Sequence, residues 1–146
     1  MANTNSLSAY RETRIRTASQ GQLIVMLYDE AVRQLDAALR LLALNMSEKR
    51  DPGRIEEIGK AIVKAQDIFT ELMVSLDFEA GGNIAKNLFA LYTWFNKELL
   101  EAHMGQDLTR ITVIRNMADD LRGAWGRASA TTNAEGRPSE GLNIAG

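Results

Sequence analysis

Between about residue 19 and residue 128, apolar side chains recur every three or four positions and scarcely ever alternate. That period predicts helices and almost no strand. The pattern breaks at three compact places, 45–51, 77–83 and 105–107. Ser19 with Gln22 reads as a capping box, and Asp51-Pro52 sets an acceptor at a cap with proline in the first turn. Asn83 after Gly81-Gly82 and Asp107 after Gly105 mark two further starts. Helices are therefore expected near 20–46, 52–76, 84–104 and 108–128. Stepping about 100° per residue gives each one a core stripe. Tyr28, Leu35 and Leu42 belong to the first, and Ile58, Phe69 and Leu72 to the second. The third carries Ile84, Leu88, Leu91, Tyr92, Phe95 and Leu99, and the fourth Ile111, Ile114, Met117, Leu121, Trp125 and Ala128. Four amphipathic helices with short links predict an all-α fold, an antiparallel up-down four-helix bundle.

The ends differ from this core. Residues 1–18 are polar, and 129–146 are rich in Ser, Thr, Asn, Ala and Gly, too poor in apolar surface to offset the entropy of ordering. The expected organisation is a loosely held N-terminal arm (1–18), a bundle (19–128) and a flexible, disordered tail (129–146). The 146 residues suit one domain. Seventeen basic against nineteen acidic residues leave a net charge of −2, which argues against a general nucleic-acid binder. The longest apolar runs, at 23–28 and 41–44, are too short for membrane insertion, and residues 1–16 hold no signal-peptide core, so a cytoplasmic protein is expected.

The residue inventory argues against an enzyme. With no cysteine and one histidine, His103, thiolate and His-rich metal sites are excluded. Glu101, two residues from His103, does not share its helical face. Gly81-Gly82 lacks the strand and lysine of a phosphate loop, and Asp119-Asp120 point to different parts of a helix surface. No catalytic residue, metal or cofactor is expected.

What remains is apolar surface beyond one stripe per helix. Met26, Ala37 and Leu44 line up away from the first stripe, and Val63 and Val74 lie nearly opposite Ile58 and Leu72. Phe89 and Leu100 flank the third core face, with Trp94 on its other side. Two readings stand: a wide core stripe, or grooves that accept another helix. Met26, Val63, Val74, Phe89, Trp94 and Leu100 are the candidate groove residues. Leu7 and Tyr10, three apart, are either incidental residues of an unstructured arm or a small hydrophobic peg.

Several stretches resemble the flagellin-specific export chaperones, the FliS family. They are Ala9-Tyr10, the run 17–23 leading into Met26-Leu27-Tyr28-Asp29, Lys64-Ala65-Gln66-Asp67-Ile68, Glu71-Leu72-Met73, Gly81-Gly82, Asn87-Leu88, Leu91-Tyr92 and Ala124-Trp125. Together they run from about residue 9 to 128. The resemblance implies a four-helix bundle that binds the C-terminal helical segment of flagellin in the cytosol. It also implies prevention of premature polymerisation and delivery to the flagellar type III export gate. Leu7 and Tyr10 would then serve as a plug over the groove or a gate contact. A generic bundle adaptor for another amphipathic or coiled-coil client is the alternative.

Overall fold

The computed structural model describes residues 20–134. The expected arm, Ser19 of the expected capping box and the chain beyond 134 lie outside the described residues. Four helices follow one another: α1 (Gln20–Ser47), α2 (Pro52–Val74), α3 (Phe78–Gly105) and α4 (Leu108–Ala134). No strand occurs among the described residues. α1 packs against α2 and α4, α2 against α3, and α3 closes the ring on α4 with the sparsest contact of the four.

The order of cross-links gives the directions. Asp29 pairs with Arg122 at 3.4 Å and Asp36 with Arg115 at 2.8 Å, so α4 descends as α1 climbs. Gln66 bonds the Asn96 carbonyl at 3.0 Å, while Thr93 Oγ1 lies 3.8 Å from Met73 Sδ. α2 and α3 are therefore antiparallel as well. The short links leave no alternative between neighbours.

Two of the expected caps are in place. Asp51 is extended and its Oδ1 accepts from the Gly53 N–H at 2.8 Å, with Pro52 behind it. Asp107 Oδ1 accepts from Arg110 N–H at 3.1 Å and opens α4. The start of α3 differs from expectation. Asp77, not Asn83, caps it by accepting from Glu79 and Ala80 N–H at 3.0 Å. A first turn, 78–81, forms before Gly82, whose φ of 52° and ψ of −126° kink the chain. Glycine takes that conformation without steric cost, so the pair bends the helix instead of ending its predecessor. α4 continues past residue 128 to Ala134.

The core forms where the stripes converge. Tyr28, Leu35, Leu42, Ile58, Phe69, Tyr92, Phe95, Leu99, Ile111 and Ile114 are all buried. Leu88, Leu91, Met117 and Leu121 are half-buried against this core, and two expected core residues are exposed, Ile84 at 50% and Ala128. Both lie on faces turned towards the loose α3–α4 contact, where the stripe is wider than the interior can cover. Ala85, Ala102 and Ala118 are fully buried instead, because close helix approach needs small residues there.

At the centre, the Tyr28 and Tyr92 hydroxyls hydrogen-bond to each other. Trp125 of α4 lies close enough to influence the Tyr28 hydroxyl, and Phe69 stacks on Tyr92 at 6.3 Å between centroids. One hydrogen bond thus joins α1 and α3, the buried Trp125 brings α4 beside it, and the aromatic stack adds α2. Burial pushes the Tyr92 phenol up to about 12 and raises Tyr28 as well. An unfolded tyrosine loses its proton near pH 10. Above that pH the unfolded chain binds fewer protons than the folded one. Stability is therefore complete below pH 10 and falls as pH rises through 12.

Tyr92→Phe is expected to cost about 1–2 kcal/mol at neutral pH, because the Tyr28 hydroxyl loses a buried partner. It should also flatten the alkaline loss between roughly pH 10 and 12. Urea unfolding followed by circular dichroism across that range measures both; a slope unchanged by the substitution would show that Tyr92 is not the titrating group.

Candidate functional site

The outer seam between α2 and α3 carries Val63, Val74, Phe78, Phe89 and Leu100, five of the ten large apolar residues exposed among the described residues. Its register follows from three contacts. The His103 ring sits directly over Gly59. Gln66 Nε2 donates to the Asn96 carbonyl, and Asn96 Nδ2 donates back to the Gln66 carbonyl at 3.3 Å and to Thr70 Oγ1 at 3.1 Å. Met73 meets Thr93. By the same register, Val63 stands level with Leu100 and Val74 with Phe89. The four are between 43% and 73% exposed, which is more than a sealed core stripe permits.

The seam thus has two apolar stations separated by a polar middle. Val63 and Val74 are eleven residues apart, as are Phe89 and Leu100. Eleven residues make three turns, about 16.5 Å along the axis. The middle is a neutral lock of Gln66, Thr70 and Asn96, whose amide groups tie the two helices together. At the lower station a hollow of about 380 Å³ is lined by Ile55, Glu56, Gly59, Lys60, Val63 and His103. At the upper one, Phe78 meets Phe89 edge-on at 5.9 Å, held there by the kink at Gly82.

The other candidates lie elsewhere. Trp94 is exposed on the opposite flank of α3, towards α4 and on the same side as Ile84. Met26 is half-buried on the outer face of α1, as are Ala37 and Leu44. Neither Met26 nor Trp94 is brought together with the four seam residues. Leu7 and Tyr10 lie outside the described residues.

Sequence reasoning missed Gly59, His103 and Phe78 as parts of the seam. An isolated glycine inside a strong helical pattern signals close approach by a neighbour, and Gly59 was legible in that way. A Cβ at Gly59 would lie 2.8 Å from His103 Nε2. His103 is a packing residue here, half-buried on the adjacent helix.

The charged groups hold the scaffold and perform no chemistry visible in their geometry. Arg122 hydrogen-bonds Asp119 at 2.6 Å and keeps that carboxyl below the usual range. Arg110 gathers Glu98, Glu101 and Asp107 at the α3–α4 link. No group of His, Asp and Glu able to hold a metal occurs among the described residues, and none of their helices is long and apolar enough to cross a membrane.

The fold is a four-helix bundle with an apolar seam exposed beside its core. The family model described as flagellar protein FliS matches residues 3–132, and the chain belongs to that family. It is 31% identical over 114 residues to the flagellar secretion chaperone FliS of Escherichia coli (strain K12), covering 78% of this chain and 79% of that one. It is 31% identical over 134 residues to the Salmonella typhimurium chaperone of the same name, covering 88% and 93%. The Bacillus subtilis (strain 168) chaperone matches at 23% over 142 residues, 97% and 99% of the two chains. The protein is thus a chaperone of flagellar secretion and not an enzyme.

The Gly59–His103 contact makes a quantitative prediction. Helix propensity favours Gly→Ala by about 0.8–1.0 kcal/mol in a helix interior. With His103 in place, the new methyl must displace the ring. Gly59→Ala should therefore stabilise by about 1 kcal/mol in a His103→Ala background and by at least about 1 kcal/mol less in the parent chain. A double-mutant cycle by urea denaturation measures the difference; strict additivity would mean that the ring moves aside at no cost.

Proposed function

We propose that this chain binds the C-terminal helical segment of flagellin in the cytoplasm, shields it from premature polymerisation and delivers it to the flagellar type III export gate. The observation that carries the reading is the level placement of Val63 with Leu100 and Val74 with Phe89 on one open seam. A helix laid along it brings apolar residues over both stations. Binding makes and breaks no covalent bond, so the task requires no catalytic constellation.

Magnitudes say how far the contact must extend. Completing the burial of four half-exposed side chains contributes about 1 kcal/mol each, or about 4 kcal/mol together. Ordering a disordered segment costs about 2–5 kcal/mol. One seam by itself nearly balances that cost. Tight capture needs more apolar surface, and Trp94 and Met26 provide it on other faces. Such a client wraps the bundle instead of occupying a single slot.

The test uses the full-length protein and a flagellin C-terminal fragment in titration calorimetry. A 1:1 complex is expected. Val63→Asp with Val74→Asp should weaken it at least about tenfold, while the exposed positions leave the melting transition within about 0.5 kcal/mol of the parent. No complex at micromolar concentration would reject flagellin as client and favour the generic adaptor. Unchanged affinity in the double variant would move the site off the α2–α3 seam.

Leu7 and Tyr10 are proposed as the arm's contact with the export gate or as a plug of the groove. Tyr10→Ala is expected to leave the helical signal and melting temperature unchanged and to reduce flagellin secreted by cells. A large fall in melting temperature would show that Tyr10 belongs to the core.

A further inference from the structure

The rim of the α2–α3 seam repeats as its floor does. On α3, Lys86-Asn-Leu-Phe89 and Lys97-Glu-Leu-Leu100 each place a lysine three residues before an apolar station, again at eleven-residue spacing. Both lysines are exposed. By helical spacing they fall on the α2 side of the helix, just outside Phe89, Thr93 and Leu100. Neither has an ion-pair partner among the described residues.

On the opposite rim Lys60 is paired with Glu56 at 3.6 Å. Asp67 stands between the two valines on the outer face of α2. Glu98 and Glu101 lie on the far flank of α3, held by Arg110. One edge of the seam is therefore cationic at both stations, whereas the α2 edge carries charges of both signs, with Lys60 and Lys64 flanking Val63 and Asp67 midway between the valines.

We propose that the seam's occupant is an amphipathic helix with apolar anchors eleven residues apart and a carboxylate beside each anchor on the flank that meets α3, pairing with Lys86 and Lys97. This rests on the seam being a client site and adds the chemistry and orientation of the client. Residues eleven apart on a straight α-helix differ by only about 20° in direction, so one guest helix presents both anchors to both stations without supercoiling. The neutral Gln66–Thr70–Asn96 middle then faces small or polar guest residues. Turning the guest end for end would carry its carboxylates away from Lys86 and Lys97 to the α2 flank, so the α3 lysines favour one direction of binding.

The probes are two synthetic helical peptides with leucines eleven residues apart, differing only in having glutamates or lysines beside those leucines on one flank. Titrated into the full-length protein at low ionic strength, the glutamate peptide should bind about tenfold more tightly. The preference should fade towards unity near 1 M salt, where the screening length is about 3 Å. Lys86→Glu with Lys97→Glu, both at exposed positions, should reverse it. Equal binding of the two peptides at low salt, binding of neither, or a preference that survives the double reversal overturns the proposal. The flagellin fragment with the Val63→Asp, Val74→Asp variant reports separately on the seam: a loss there with no glutamate preference leaves the site standing and removes only its charge rule.

Discussion

Two phenol oxygens at the centre of the bundle take each other as hydrogen-bond partner. Tyr28 and Tyr92 are cut off from solvent, and a buried hydroxyl without a partner costs about 1–3 kcal/mol. Any axial slip or rotation of α1 against α3 breaks their bond. A purely greasy interior tolerates several nearly equal registers. This interior does not, and the geometry of the surface follows from it. Tyr92 lies three residues after Phe89, so fixing the phenol fixes the upper station of the seam. Phe69, stacked on the same ring, fixes α2, and with it the height of Val63 and Val74.

The seam is kept both open and in register by polar groups. A fully apolar α2–α3 interface would close on itself and leave nothing for a guest. Gln66 and Asn96 instead exchange side-chain to main-chain bonds that hold the helices at one separation while apolar residues remain outside. The α1–α4 face is treated differently, with a line of arginine–aspartate pairs from Asp29 to Arg115. Such exposed pairs contribute at most about 1 kcal/mol each, so they serve alignment more than stability. That face carries charge, and the apolar surplus is left to α3 and its neighbours.

Much of this could be read from residue order. Period and caps gave the number of helices, and Asp51-Pro52 and Asp107 marked two starts to the residue. The start of α3 was harder because Asp77 and Gly81-Gly82 compete as punctuation, and a glycine pair reads equally as a stop or a bend. Ile84 was misplaced for another reason. Its angle on the wheel is that of a core residue, but whether a neighbour covers that angle depends on how closely α3 and α4 approach. The alanines 85, 102 and 118 carry little hydrophobic signal and yet lie where helices are tightest. The candidate groove residues were recognisable as surplus, since a wheel shows which side is spare. Which surplus residues share one seam depends on the order of helices around the ring, and that separated Met26 and Trp94 from the other four.

The bend at Gly82 has a consequence for the shape of that seam. In a straight helix Phe78 would lie about 16.5 Å from Phe89 along the axis, yet the rings are 5.9 Å apart. The bend turns the first helical turn of α3 towards the seam, so a pair of aromatic rings marks one end of it, while the other end is marked by the His103 ring lying over the bare backbone of Gly59. The furrow therefore has two chemically unlike poles, one greasy and one an imidazole, and its ends are not interchangeable.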